Sequence, residues 1–187
     1  MVSFVVGITG TLGSGKEVVK EIISKNFSCY SVSLSSVVQS QMKKTDRKSL
    51  QDMENELRKK YGTHILAKLA TDYMQRDKEI IIVDEIRNPG EVDYLRKTFG
   101  NKFSLIAVDA PRELRWERVK ARKREGDPKT WEEFLLVDER EQGIGEPLYG
   151  QRIKECIQMA DFLIINEGTL EEVNEKVIKV LEELTRK

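Results

Sequence analysis

The stretch GITGTLGSGKEVVKEII, Gly7 to Ile23, decides how the rest of the chain is understood. A β-rich run, Val2 to Ile8, leads into it, and a helical pattern leaves it. Between them Gly10, Gly15 and Lys16 match G-x-x-x-x-G-K-[ST] up to the last position, where Glu17 stands in place of Ser or Thr. From Gly10 through Thr11, Leu12, Gly13, Ser14 and Gly15, a glycine-rich backbone can curl so that successive N–H groups point at phosphate oxygens. The helix opening near Gly15 adds its N-terminal dipole, and Lys16 adds a point charge on the outer phosphates. The position between a strand and a helix separates a phosphate cradle from a chance match. Glu17 leaves its reading open. The usual hydroxyl contacts a magnesium ion that bridges the outer phosphates. A carboxylate there ligates the ion itself, repels the phosphates, or is a first-turn acid that faces solvent.

Outward from this loop, short apolar runs recur at wide intervals. Cys29 to Leu34 alternates; Glu79 to Val83, Phe103 to Val108 and Phe162 to Ile165 are continuous. Runs without alternation suit strands buried on both faces, as in a parallel sheet. The segments between them have helical period. Val18, Val19, Ile22 and Ile23 share a side of the first, and in the last a Thr169/Glu172 capping box precedes Leu170, Val173, Val177, Val180, Leu181 and Leu184. This alternation predicts a doubly wound α/β sandwich. Two segments fit it badly. Ser40 to Ala70 is long, polar and helical; Arg112 to Gly150 is highly charged and interrupted by Gly and Pro. Each is either a surface excursion or a flap that moves over a site.

The 187 residues suit one domain with a substantial core. The 32 basic and 32 acidic residues cancel, so no global field favours nucleic acid or an anionic membrane, and affinity for phosphate must be local. Cys29 and Cys156 share no motif and predict reduced core thiols. No apolar run approaches the ~18 residues that span a bilayer, and no basic stretch precedes the first strand, so a cytoplasmic protein is expected.

Further chemistry-bearing residues cluster in two places. Asp84 ends the third strand, in IIIVDEIRNPGE, where an acid beside a phosphate loop serves as a second magnesium anchor or as a base. Glu85 follows it, and Arg87 lies three residues on; the alternative is a strand-end charge pair before a turn. In Arg112 to Arg124, RELRWERVKARKR, seven of thirteen residues are Lys or Arg, and Arg115, Arg118 and Arg122 can share a helix face. Such a cluster suits polyphosphate, a single nucleic-acid strand stacked on Trp116 and Trp131, or plain solvent. His64, the one histidine, suggests a structural role and no metal cluster.

At this point the chain resembles the P-loop small-molecule kinases, meaning nucleoside monophosphate kinases and dephospho-coenzyme A kinase. GITGTLGSGK resembles the opening of both groups, DEIRNPGE (84–91) the strand-end segment of deoxynucleoside monophosphate kinases, and ADFLIINEGTLEE (160–172) the last strand of dephospho-coenzyme A kinases. NELRKKYG (55–62), DPKTWEEFLLVDERE (127–141) and NEGTLEE are similar to an archaeal family of adenylate-kinase-related P-loop proteins. The resemblance covers nearly the whole chain. It implies a three-layer α/β/α fold with a five-stranded parallel sheet in the order 2-3-1-4-5. The implied core is 1–34, 76–117 and 146–187, with an acceptor-binding insertion at about 35–75 and an Arg-bearing lid at about 118–145. It implies that Arg58 and Arg87, and more weakly Arg47, clamp an acceptor phosphate. It implies that Arg118, Arg122 and Arg124 reach over the donor phosphates, with Asn166 and Gly168 beside the donor base. Family members carry Ser or Thr after the lysine and often Gly after the strand-end Asp; Glu17 and Glu85 depart from both.

Together these observations lead us to expect a phosphotransferase. ATP or another triphosphate occupies the loop, Mg²⁺ sits on Asp84 with Glu17 as a second ligand, and a nucleoside or deoxynucleoside monophosphate, or dephospho-coenzyme A, accepts the phosphoryl group in a monomer or homodimer. The alternative is a non-catalytic nucleotide sensor, or a weak ATPase with a protein or RNA partner.

Overall fold

Val5 and Val6 are adjacent and both fully buried, yet they belong to different cores. They lie on β1 (Phe4–Gly10), whose successive side chains point to opposite faces of a sheet covered on both sides. The computed structural model describes residues 4–40, 47–75 and 77–186, with Arg47 described in its backbone alone. Among them the expected sheet is present. Strands β2 (Cys29–Ser33), β3 (Ile80–Asp84), β1, β4 (Phe103–Asp109) and β5 (Phe162–Ile165) lie in that order, all pairs parallel. The register sets Gly7 beside Val83 on one side and Leu105 on the other.

Helices α1 (Lys16–Asn26) and α9 (Leu170–Thr185) cover one face. Val19, Ile22 and Ile23 of α1 meet Ile8, Ile82, Ile106 and Val108, and the apolar stripe of α9 closes the layer. The capping box at Thr169 and Glu172 starts α9 as its sequence predicts. The other face carries α2 (Leu34–Gln39), α4 (Ile65–Asp72), α5 (Pro89–Phe99) and α8 (Ile153–Gln158), packed on Val5, Ile81, Val83 and Leu105. Strand β2 stops one residue short of the expected Leu34, because the Ser33 side chain accepts from the Ser36 N–H and caps α2 there. The long polar segment is interrupted as well. Helix α3 (Arg47–Tyr61) ends at Gly62, and α4 follows.

Two more helices sit over the carboxyl ends of the strands. Helix α6 (Arg112–Arg122) follows β4, and α7 (Trp131–Gln142) folds back on it. Phe134 is fully buried between them, against Trp116, Trp131, Val119 and Leu12 of the loop. The two tryptophans are half-buried here and pack on Phe134. Among the described residues no helix is long and apolar enough to cross a membrane.

Candidate functional site

In a sheet of this order, β1 and β3 are neighbours in space but not in sequence, and the crevice beyond their carboxyl ends is where such sheets bind ligands. The loop after β1 and Asp84 at the end of β3 flank that crevice. Its backbone depends on missing Cβ atoms. Gly13 and Gly15 have φ of +80° and +94°, and a Cβ on Gly15 would lie 2.2 Å from Asn166 Nδ2. Asn166 braces the loop by donating Nδ2 to Ser14 O at 2.8 Å, and Thr11 Oγ1 donates to Asp109 at 2.6 Å. Ser14 Oγ is buried and has no hydrogen-bond partner among the described residues.

Lys16 curls back so that Nζ donates to Gly10 O at 2.8 Å and Thr11 O at 3.0 Å. Both of its hydrogen bonds are to loop carbonyls. Burial lowers its pKa to about 8, only partly offset by the fields of Glu141 and Asp84.

The crevice holds about 310 Å³. One wall is the loop, with Gly10, Leu12, Gly13, Gly15, Lys16 and Glu17; the other is Asp84, Glu85 and Arg87. Arg118, Arg122 and Arg124 border it from α6 and the turn that follows, and Glu141 borders it from α7. Most of the residues expected at the site are thus brought together. Arg118 Nη1 donates to Ser14 O at 3.4 Å and Nη2 to Asn166 Oδ1 at 3.2 Å. Arg122 is held by Asp127 through two bonds of 2.6 and 2.7 Å, whereas the Arg124 side chain is exposed and unpaired among the described residues. A smaller hollow of about 180 Å³ continues past Arg87 to Leu50 and Gln51 of α3.

Other expected residues lie elsewhere. Arg58 is 1% exposed and does not reach the crevice. It pairs with Glu91 at 2.8 Å and with Asn55 at 3.2 Å, since a guanidinium at that depth needs a carboxylate. Its Nη2 has no hydrogen-bond partner among the described residues and lies 3.9 Å from Glu54. Asn166 and Gly168 do not line the crevice; Asn166 supports the loop from behind, and Gly168 sits against Glu172. The side chain of Arg47 lies outside the described residues. Arg115, on the same helix face as Arg118, is buried and bound to Asp138 at 2.5 and 3.1 Å and to Leu12 O at 3.1 Å, so it locks α6 and α7 to the loop.

Glu85 has φ of +62°, a left-handed backbone that costs a non-glycine residue about 1–2 kcal/mol. This is a physical reason for glycine at that position in the kinases the chain resembles. Here Ser33 at 2.5 Å and Arg87 at 3.0 Å hold the glutamate. Burial would raise its pKa, but Arg87 and the Ser33 and Ser35 hydroxyls outweigh burial and keep it at about 2. Arg87 also bonds Ser35 at 3.0 Å and fully buried Glu54 at 3.4 Å. Burial disfavours its charge; Glu85 and Glu54 more than restore it.

The expected magnesium anchors have a protein partner that sequence reasoning did not single out. Lys20 Nζ lies 2.7 Å from Glu17 Oε1 and is bonded to Asp84 Oδ2. Asp84 Oδ1 accepts the Glu85 N–H at 2.7 Å. Burial works against the Lys20 charge, but these two carboxylates outweigh it and raise its pKa. Among the described residues no cluster of three or more His, Cys, Asp or Glu is arranged to hold a metal ion. As arranged, the pair fits an ammonium and not a divalent ion. Spacing could have flagged Lys20, which falls one turn after Lys16 and three residues after Glu17. Glu54 and Glu141 carried no such signal, since only the packing of α3 and α7 brings them here.

Comparison with known proteins bears on the same residues. A family model described as an AAA domain matches residues 6–142. A UPF0200 protein of Thermococcus kodakarensis is 32% identical over 192 residues, covering 98% of this chain and 99% of the relative. One from Methanothermobacter thermautotrophicus is 30% identical, covering 98% and 92%. A UPF0200/UPF0201 protein of Archaeoglobus fulgidus is 36% identical over 141 residues, and the match spans 42% of that longer relative. Among solved structures, shikimate kinase from Aquifex aeolicus superposes with a TM-score of 0.54 at 18% identity, over 96% of this chain and 97% of its own. A gluconokinase from Sinorhizobium meliloti superposes with a TM-score of 0.52 at 14% identity, over 97% and 93%. At such identities the likeness is one of fold. Sequence kinship and fold agree on the P-loop kinase-like architecture built above, and the chain belongs to the UPF0200 family.

Proposed function

We propose that this protein is a phosphotransferase that binds ATP or another nucleoside triphosphate in the loop of residues 10–16 and passes its γ-phosphoryl group to a small phosphorylated acceptor. The observation that carries this reading is Lys16, a half-buried ammonium resting on loop carbonyls at the head of a crevice bordered by Arg118, Arg122 and Arg124. A triphosphate would supply a counter-charge in direct contact, and Ser14 Oγ, without a hydrogen-bond partner among the described residues, is a further donor in the same loop.

The acceptor we assign is a nucleoside or deoxynucleoside monophosphate, with dephospho-coenzyme A as the alternative. It enters by the hollow between Arg87 and α3, so that 35–75 serves as the acceptor-binding insertion and 118–145 as the lid. Arg87 is the acceptor-side arginine bordering both hollows. An acceptor oxygen attacks the γ-phosphorus in line, and the bridging oxygen departs with the nucleoside diphosphate. Lys16 and the lid arginines stabilise the charge on the transferring group, and closure keeps water out. Magnesium on Asp84 and Glu17 is not part of this reading, because Lys20 already joins those carboxylates.

A second reading has a specific observation in its favour. Arg87 is already paired with Glu85 and Glu54, and Arg58 with Glu91, which suits a nucleotide sensor that has no phosphorylated acceptor. Coupled turnover with ATP against a panel of nucleoside monophosphates and dephospho-coenzyme A, with and without MgCl₂, separates the two. Turnover on one class of acceptor is the expected result. Saturable ATP binding with no acceptor phosphorylated would establish the sensor instead.

A further inference from the structure

Glu17 is puzzling only while the loop is considered alone. In the folded chain its partner is Lys20, one turn along α1, and the partner they share is Asp84, 64 residues away at the end of β3. Glu17 and Asp84 both border the crevice, and the Lys20 side chain is 17% exposed. A divalent ion would need carboxylate oxygens at about 2.0–2.1 Å in near-octahedral geometry. Here one oxygen of each carboxylate is already bonded to the ammonium, and the other oxygen of Asp84 is bonded to a backbone N–H. An ammonium has three donors, and among the described residues two are used, which leaves one for a phosphate oxygen.

We propose that Lys20 is the resident cation of this site: its ammonium joins Glu17 to Asp84 where a divalent ion would otherwise link protein to phosphates, and nucleoside triphosphate therefore binds this chain without divalent metal. The inference rests on the phosphate-loop reading above. It also gives Glu17 a role, as the second anchor of Lys20 where a hydroxyl would have served a metal. The triad by itself sums to one negative charge. The remaining counter-charge for the phosphates comes from Lys16, Arg118 and Arg124.

Calorimetric titration of ATP into the protein, in EDTA and in MgCl₂, tests this directly. Wild-type affinities in the two conditions should agree within about threefold. Lys20→Gln uncovers two carboxylates beside the phosphates. It should weaken binding in EDTA by about tenfold or more, and MgCl₂ should recover most of the loss. Lys20→Arg keeps the charge and should keep the wild-type ratio. Electron paramagnetic resonance of Mn²⁺ added to nucleotide-free protein gives a readout independent of nucleotide and of turnover. The wild type should leave the ion free, and Lys20→Gln should bind it. Wild-type binding that demands Mg²⁺, a Lys20→Gln variant with the wild-type metal dependence, or a Mn²⁺ site in the wild type would each overturn the assignment. If Lys20→Gln fails to fold, the wild-type and Lys20→Arg measurements still decide. Absence of ATP binding in both conditions would instead overturn the phosphate-loop reading and this inference with it.

Discussion

Lys16 holds its charge at a disadvantage until an anion arrives. Its hydrogen bonds are to carbonyls, and burial brings its pKa down to about 8. A bound triphosphate stabilises the ammonium and must raise that value, so binding favours the protonated form. The sign follows: affinity is fully present below pH 8 and falls as pH rises above it, by up to about tenfold per pH unit until the pKa of the complex is reached. Titrating ATP between pH 6.5 and 9.5 checks this, and binding should take up a proton near the upper end. Lys16→Ala removes a charged hydrogen-bond donor and should weaken triphosphate binding by about 1.5–3 kcal/mol, with the pH dependence lost. A retained pH dependence in that variant would assign the titration to another group. Lys16 was legible in the sequence because the motif names it. Its depressed pKa was not, since that depends on how deeply the fold buries it.

At the scale of elements, the segment we propose as the lid is fastened at its base. Phe134 fills the space between α6, α7 and Leu12 of the loop, and buried Arg115 ties α6 to Asp138 of α7 and to the loop carbonyl of Leu12. Asp138→Ala leaves that guanidinium buried without its carboxylate and should destabilise the protein by about 3–5 kcal/mol, measured by denaturant unfolding. A loss under about 1 kcal/mol would show that the pair is solvated rather than structural. The basic stretch of residues 112–124 is thus divided by depth. Arg115 is an anchor, Arg118 and Arg122 are half-committed to neighbours, and Arg124 projects freely. Helical spacing grouped Arg115, Arg118 and Arg122 on one face. It could not assign these different roles, because the spacing says nothing about what packs against that face.

Across the whole molecule, α7 bridges the two halves of the crevice. Arg140 bonds Asp52 of α3 at 2.8 Å and Glu146 at 3.1 Å, and Gln51 donates to Glu141 at 3.3 Å. The lid segment and the segment assigned to the acceptor therefore already touch. The exposed Arg140–Asp52 pair is worth about 0–1 kcal/mol and can open readily, whereas Gln51 and Glu141 meet in a buried contact. Hydrogen exchange should show ATP protecting residues 10–16 and 118–145, with an accepted monophosphate extending protection into α3. Equal protection of α9, on the far side of the sheet, would argue for general stiffening in place of closure. By itself the sequence determined the parallel α/β class, the five strands, the phosphate loop, the capped last helix and the acid at the end of β3. All of these are written in local pattern, in apolar runs, helical period and motif spacing. The tertiary structure decided which charges meet. Lys20 between Glu17 and Asp84, Arg58 withdrawn onto Glu91, and Arg87 held by Glu85 and Glu54 are pairings that, except for Glu17–Lys20 and Arg87–Glu85, join residues more than thirty positions apart. Electrostatic partners are chosen by distance in space, and that distance exists only once the sheet has brought the ends of its strands together.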